Sequence, residues 1–262
     1  MIQKIKNYQS LLWDLAKNDF KTKYVGSALG IVWAFIQPII TILVYWLVFQ
    51  YGLRIGTTGK NYPYSLWFIT GIVPWFFFSD GLTNGTNCLR EYNYLVKKVI
   101  FPVELLPLIK LLSSLFVHVV FIGFLTIIYA VYGRFLTIHP LRLFYYIICL
   151  TLFTAGLMYF SAAVVVFFKD WGQLITVILQ IGMWGTPILW DYHDVIPSSL
   201  LWLFKLNPMF YIVEGYRDSM LENISIWSHW IQLLYTWSII LAFLICGFKL
   251  FRRLTPHFAD VL

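Results

Sequence analysis

Four ionisable side chains lie inside or beside long apolar runs, namely Asp80, Glu104, Lys110 and His118. A charge removed from water is costly unless it is paired, so each of them is a candidate functional group. Asp80 follows the aromatic run 75–78 and either faces a wet passage or hydrogen-bonds a neighbouring helix. His118 is either a functional group within the membrane or a histidine that bonds a neighbouring helix. Lys110 is six residues from Glu104, a poor helical spacing for a pair, so we expect its ammonium group to reach water at a membrane surface.

The sequence lacks the residue patterns of the common catalytic and nucleotide sites. Gly59-Lys60 is followed by Asn61 and has no glycine five residues upstream, so the phosphate-binding loop of ATPases is absent. No HExxH, GxSxG or Cys/His cluster with metal-ligand spacing occurs. We therefore predict no catalytic residue, no metal site and no cofactor on this chain. An enzyme acting on lipid-linked sugars is a disfavoured alternative, because the carboxylates that it would pair at one pocket are dispersed.

The composition shows what kind of fold must hold these groups. The chain has 262 residues, of which 60% are hydrophobic, 20% aromatic and 12% charged. Soluble domains carry about twice that charged fraction. Too much apolar surface is present for one core to hide, which excludes a disordered chain, a nucleic-acid-binding domain and an ordinary cytosolic enzyme. The net charge of +7 comes from basic residues scattered between apolar runs, so it does not indicate a nucleic-acid partner.

The remaining class is an all-α integral membrane protein, here a single transmembrane domain over 1–262. A helical span needs about 20 predominantly apolar residues. Six segments qualify as transmembrane helices, with Pro38 expected to kink the first. They are 28–51, 66–87, 108–132, 143–168, 173–190 and 230–250.

The N-terminal residues 1–25 predict an amphipathic helix rather than a span. Ile5, Tyr8, Leu12 and Leu15 recur at three- and four-residue steps, and polar residues fill the other face. Such a helix lies in the membrane interface or packs on the protein's own surface, and both can hold together.

The region 191–229 is predicted to be re-entrant on the outer side, between the fifth and sixth spans. Six spans with both termini inside place 13 of the 19 basic residues on the cytoplasmic side, the expected bias. A full crossing by 200–216 would reduce that number to 10. We therefore expect a helical hairpin broken at Asn207-Pro208, with a short amphipathic surface helix as the alternative.

Aromatic residues inside the predicted spans suggest a passage for sugars. The C–H face of a sugar packs on an aromatic ring without full desolvation of its hydroxyl groups. Lipid-facing or packing rings are the alternative interpretation. The candidate conduit residues are Trp33, Tyr45, Trp46, Asp80 and Tyr159.

Several motifs, in order and spacing, resemble the membrane-spanning permease of ATP-binding-cassette exporters for lipid-linked cell-surface polymers, the teichoic-acid, O-antigen and capsule exporters. The resemblance runs nearly end to end. Its motifs are K-x-K-Y-x-x-S-x-L-G-x-x-W-x-x-x-x-P at 21–38, G-I-V-P-W-F-F-F at 71–78, N-x-L-V-K-K-x-x-F-P at 93–102, K-D-x-x-Q at 169–173, T-P-I-L-W at 186–190, L-N-P-x-x-x-x-V-E-G-Y-R at 206–217 and F-A-D-V-L at 258–262.

The resemblance implies a homodimeric permease in the bacterial cytoplasmic membrane, with two copies of a separate nucleotide-binding subunit that carries ATP and Mg. Its substrate would be a polymer on an undecaprenyl-type lipid, and the motif details favour teichoic acid slightly over O-antigen. A permease for drugs or small lipids is the alternative within the wider family.

The resemblance also implies roles for two sets of residues. The segment 88–100 would be a coupling helix, with Tyr92, Tyr94 and Leu95 as apolar anchors, or else its basic residues only set topology on anionic lipid. The predicted ATPase-coupling residues are Arg90, Glu91, Tyr92, Tyr94, Lys97, Lys98, Lys169, Asp170 and Gln173. The predicted re-entrant hairpin residues are Asn207, Pro208, Glu214 and Arg217.

Overall fold

The chain is helical throughout most of the computed structural model, which describes residues 2–23, 29–52, 62–97 and 101–262. The α-helices of this part of the chain are α1 (Ile2–Thr22), α2 (Trp33–Leu47), α3 (Tyr64–Glu91), α4 (Asn93–Val96), α5 (Leu105–Val131), α6 (Pro140–Phe167), α7 (Trp171–Gly185), α8 (Tyr192–Val195), α9 (Leu201–Lys205), α10 (Pro208–Arg217) and α11 (Trp230–Val261).

Five helical segments of the described chain are long and apolar enough to cross a membrane. The first extends α2 with a 3₁₀ turn before it and a π turn after it, and the last joins a 3₁₀ turn to α11. They coincide with five of the six predicted spans. The five are Gly30–Gly52, Tyr64–Glu91, Leu105–Val131, Pro140–Phe167 and Ile226–Val261.

The prediction of a continuous helix over 173–190 is wrong, because α7 ends at Gly185. Its 15 residues rise about 22 Å, less than the roughly 30 Å of a hydrocarbon core. Thr186 is extended, with φ −100° and ψ 137°. The cause is Pro187, since a proline disfavours the helical conformation of the residue before it.

The centre of the bundle is formed by α3 and α6, which are mostly buried, whereas few residues of α2 and α11 are buried. Two glycines let α6 and α11 approach closely. A Cβ added at Gly247 would lie 2.4 Å from the carbonyl oxygen of Gly156, and one at Gly156 would lie 2.8 Å from the backbone nitrogen of Leu244. Small residues are the usual means of close helix contact in membranes.

The N-terminal helix α1 packs against α5 at one end of the bundle. Ala16 and Asp19 are buried, Leu12 and Leu15 are partly buried, and the Trp13 ring meets the edge of Phe116 on α5 at 5.2 Å between centroids. The predicted contact with the protein's own surface is therefore confirmed for these residues. The side chains of Ile5 and Tyr8 lie outside the described ones.

Two helices continue beyond their predicted ends. The predicted connection 88–100 begins as the last turn of α3, continues as the four-residue α4, and includes Lys98, which lies outside the described residues. The last span was predicted to end at 250, but α11 runs to Val261. It continues because Phe251 and Phe258 are both fully buried in an apolar cluster with Val96 and Leu106.

Candidate functional site

A cavity of about 320 Å³ lies between α2, α3 and α5. Its α3 residues run from Val73 to Asn84, so it lies near the middle of that helix. Of the predicted conduit residues, Trp33 and Asp80 line it. Its other aromatic lining residues are Phe76, Phe77 and Phe121. Its polar lining includes Gln37, Thr41, Ser79, Thr83, Asn84 and Ser114.

Asp80 is the anionic group of this cavity, and three side chains hold it. Ser114 donates to its Oδ2 at 2.6 Å, and Asn84 donates to its Oδ1 at 2.9 Å. Lys23 forms an ion pair with Oδ1 at 2.7 Å, with both side chains partly exposed. The interpretation of Asp80 as a hydrogen-bonding partner of a neighbouring helix is confirmed by Ser114 on α5, and Asp80 also lines the cavity.

His118 connects this cavity to the opposite end of the bundle. Its ring lines the cavity and packs against Phe77 at 5.0 Å between centroids. Its Nε2 lies 2.9 Å from the hydroxyl of Tyr216 on α10, which confirms the interpretation as a bond to a neighbouring helix. Its Nδ1 is buried and has no hydrogen-bond partner among the residues that the structure describes.

The other three predicted conduit residues lie outside the cavity lining. The Tyr45 ring meets Phe68 on α3, and the Trp46 ring meets Tyr51 on its own segment. Tyr159 is buried, and its hydroxyl donates to the carbonyl oxygen of Glu104 at 2.8 Å. The structure brings Trp33 and Asp80 together and does not bring these three to the same place.

A buried ionic cluster joins α1, α3 and α5. Lys110 is 4% exposed, and its Nζ lies 2.7 Å from Oδ1 of Asp19 and 2.8 Å from Oε2 of Glu91. The expectation that Lys110 reaches water is wrong, because two carboxylates already solvate its ammonium group. Sequence reasoning missed Asp19, although it continues the three- and four-residue spacing of Leu12 and Leu15 on the buried face of α1.

Tyr92 belongs to the same cluster. Its hydroxyl donates to Oδ1 of Asp19 at 2.5 Å, and Nζ of Lys110 lies 4.9 Å from its ring centroid. Burial and the hydrogen bond to Asp19 raise the pKa of Tyr92 well above its usual value, so the hydroxyl stays a donor. Tyr92 is therefore engaged within the chain, whereas Tyr94 on α4 is 56% exposed.

The remaining predicted coupling residues form an exposed surface near this cluster. Gly172 packs beside Asn87, since an added Cβ would lie 3.3 Å from the Asn87 side-chain oxygen, so the α6–α7 turn lies against the end of α3. The structure does not describe Lys98. The exposed residues of this surface are Arg90, Lys97, Lys169, Asp170 and Gln173.

At the opposite end, Arg217 organises the predicted hairpin. It is fully buried, and its Nη1 donates to Glu214 at 2.5 Å and to the carbonyl oxygen of Pro187 at 2.7 Å. Its guanidinium carbon lies 3.4 Å from the Trp67 ring centroid. Burial raises the pKa of Glu214, and the adjacent Arg217 guanidinium opposes this rise. Arg217, predicted as a residue of the hairpin, is a central packing residue of this region.

Asn207 begins α10 and attaches it to the turn after α7. Its Oδ1 accepts from the backbone N–H of Met209 at 3.0 Å, and its Nδ2 donates to Oγ1 of Thr186 at 2.8 Å. Pro208 occupies the first helical position, where its missing N–H costs nothing. The predicted break at Asn207-Pro208 is present, between α9 and α10.

The side chains described above form a cavity, an exposed surface and packing contacts between helices. Within the described ranges, no group of three or more His, Cys, Asp and Glu side chains is placed to hold a metal ion. The polar groups that do converge are ion-paired or hydrogen-bonded across helices.

Proteins of known function resemble this chain over most of its length. An O-antigen export system permease protein RfbA of Myxococcus xanthus is 28% identical over 224 residues, which is 85% of each chain. A protein of the same name from Klebsiella pneumoniae is 26% identical over 257 residues, covering 96% of this chain and 95% of the relative. The polysialic acid transport protein KpsM of Escherichia coli is 22% identical over 241 residues, 89% of each.

The family model described as ABC-2 type transporter matches residues 10–221. The match begins in α1, includes the cavity lining, the turn between α6 and α7 and the Arg217 region, and ends within the π turn Asp218–Glu222. Because it extends over most of the chain, this multi-pass membrane protein belongs to the ABC-2 type transporter family.

Proposed function

We propose that the chain is the permease subunit of an ATP-driven exporter that moves a lipid-linked polymer across the bacterial cytoplasmic membrane. The supporting observation is that relatives matching nearly the whole chain are named for export of O-antigen or transport of polysialic acid. The polymer is carried on an undecaprenyl-type lipid. Polysaccharide is the first candidate, and teichoic acid is the second because of the motifs at 206–217 and 258–262.

The proposed complex contains two copies of this chain and two nucleotide-binding subunits, which bind ATP and Mg. The exposed surface around Tyr94, Lys97 and Lys169 faces the ATPase, since it lies beside the end of α3 and the turn before α7. The apolar surfaces of α2 and α11, few of whose residues are buried within the chain, provide area for lipid and for the second copy. Both termini are cytoplasmic.

The proposed topology has six crossings, the fifth made by α7 together with the turn 186–190. In this arrangement α9 and α10 are re-entrant from the outer side, and α1 lies in the inner membrane interface. A cysteine introduced by Ile224→Cys in a Cys246→Ser background tests the orientation. We expect labelling by a membrane-impermeant maleimide from outside only, and labelling from the cytoplasm alone would overturn the topology.

Reconstitution tests the function itself. The chain and its ATPase subunit are placed in proteoliposomes with a lipid-linked polysaccharide, a lipid-linked teichoic acid or the bare carrier lipid. We expect ATP-dependent translocation of one polymer class and no ATP hydrolysis by this chain alone. Translocation of small drugs or phospholipids with neither polymer moved would overturn the proposal. It would favour the drug or small-lipid permease.

A further inference from the structure

We infer that the cavity between α2, α3 and α5 binds one pyranose unit of the exported sugar chain. This inference rests on the proposed function and adds to it a site within a single subunit. The size fits, since the cavity holds about 320 Å³, at the lower end of small-ligand pockets.

The charge of the cavity favours a neutral sugar over a phosphate. Asp80 is the carboxylate among the lining residues, and Lys23 neutralises it at 2.7 Å. The other polar lining residues are hydroxyl- and amide-bearing, as at Thr83, Asn84 and Ser114. An anion entering here would meet a carboxylate whose nearby cation is already engaged. A neutral ring with several hydroxyl groups finds both donors and acceptors.

Asp80 retains hydrogen-bonding capacity for a ligand. An ionised carboxylate has about four acceptor positions. Ser114 uses one on Oδ2, and Asn84 and Lys23 use two on Oδ1. One position on Oδ2 therefore stays open among the described contacts, and a sugar hydroxyl is a donor of suitable strength.

The aromatic side of the cavity supplies a surface for the C–H face of the ring. Trp33 lines the cavity and is 43% exposed, so packing inside the bundle leaves part of its indole surface uncovered. Phe76 and Phe121 lie on the same cavity from α3 and α5.

One further polar atom of a lining residue lacks a partner. His118 lines the cavity, is 3% exposed, and its Nδ1 has no hydrogen-bond partner in the part of the chain that the structure describes. A buried unsatisfied polar group is costly, and a hydrogen bond from a sugar hydroxyl would remove that cost.

The test measures photo-crosslinking to the full chain with its ATPase subunit in nanodiscs free of sugar-based detergent. The probe is a polyprenyl diphosphate carrying one N-acetylhexosamine with a diazirine on the sugar. We expect crosslinks to peptides spanning 33–41 or 114–121. The same lipid with an unlabelled sugar should compete, whereas the sugar-free polyprenyl diphosphate should compete about tenfold less well.

Two variants with matched controls locate the site. Trp33→Leu should weaken the sugar-dependent competition about tenfold, while Trp184→Leu, also an exposed indole but outside the cavity lining, should not. Asp80→Asn should weaken it similarly, while Asp260→Asn, an exposed aspartate outside the cavity lining, should not. A further competition experiment adds a free oligosaccharide that has no carrier lipid. It distinguishes binding of the carrier-attached sugar from binding of an internal unit of the polymer. Competition by either one supports the site.

Equal competition by sugar-bearing and sugar-free lipid, or full crosslinking in Trp33→Leu, would overturn the inference. Export in the reconstituted system separates this failure from that of the proposed function. Intact export of a polymer with no sugar-dependent crosslink means that only the site assignment is wrong.

Discussion

Lys110 on α5 and Asp19 on α1 form a buried ion pair, with 2.7 Å between Nζ and Oδ1 and at most 4% exposure of either side chain. The pair joins the N-terminal helix to the bundle at a point where Glu91 and Tyr92, from the end of α3, also make contact. The end of α3 is therefore linked to α1 in two ways, through the Lys110 ammonium group and through the hydrogen bond from Tyr92 to Asp19.

Removing one partner of this pair should destabilise the protein strongly. Lys110→Met leaves the Asp19 carboxylate buried without its cation, which typically costs about 3–5 kcal/mol. The double variant Lys110→Met/Asp19→Leu removes both charges and should recover most of that loss. Thermal unfolding of the purified chain measures both. A double variant as unstable as the single one would show that the loss is of packing rather than of charge pairing.

The two tyrosines of the coupling segment should behave differently. Tyr94→Ala removes an exposed aromatic anchor and should weaken co-purification with the ATPase by about 2 kcal/mol, roughly 30-fold in affinity. The stability of the Tyr94→Ala variant should be unchanged. The control is Tyr132→Ala, since Tyr132 follows the C-terminal end of α5 and is similarly exposed.

Tyr92→Phe should show the opposite pattern. It deletes the hydroxyl that donates to Asp19, a charge-assisted bond worth about 1.5–3 kcal/mol of stability. Binding of the ATPase should remain. A loss of ATPase binding in Tyr92→Phe at normal stability would place Tyr92 at the subunit interface and contradict its internal role.

The buried arginine gives a prediction at the opposite end. A Cβ at Gly71 would lie 2.5 Å from Nη2 of Arg217, whose guanidinium is held by Glu214 and by backbone carbonyls. Gly71→Ala should therefore destabilise the protein by about 1–3 kcal/mol. A double-mutant cycle with Arg217→Met isolates this contact. Strict additivity of the two losses would mean that Gly71 is required for another reason.

The sequence predicted the elements that depend on local signals. The apolar runs located five long helices. The Asn207-Pro208 pair located the break before α10, because an N-cap residue followed by proline ends one helix and begins the next. The early end of α7 had its own local signal in Thr186-Pro187. Its apolar surroundings favoured a longer span instead.

The sequence could not predict contacts between residues that are far apart along the chain. Lys110 and Asp19 are 91 positions apart, and neither position shows that the other is near. Arg217 was predicted to belong to the hairpin, but the sequence does not show that it donates to the carbonyl oxygens of Pro187 and Ile188. The cavity likewise includes only two of the predicted conduit residues, because helix rotation, and not residue type, decides which rings face it.

The contact between α6 and α11 gives the last prediction. At Gly247 the atom that an alanine methyl would strike is the carbonyl oxygen of Gly156, at 2.4 Å, and a backbone atom of a packed helix cannot rotate away as a side chain can. Gly247→Ala should therefore force the two helices apart and destabilise the protein by about 1–3 kcal/mol or more. Gly123→Ala on α5 is the matched control, since nothing lies within 4 Å of its added methyl. That variant should be neutral or slightly stabilising, because alanine favours a helix over glycine. The measurement is the fraction of folded, monodisperse protein after heating each variant. Equal behaviour of the two variants would show that α6 and α11 do not pack at this distance in the membrane.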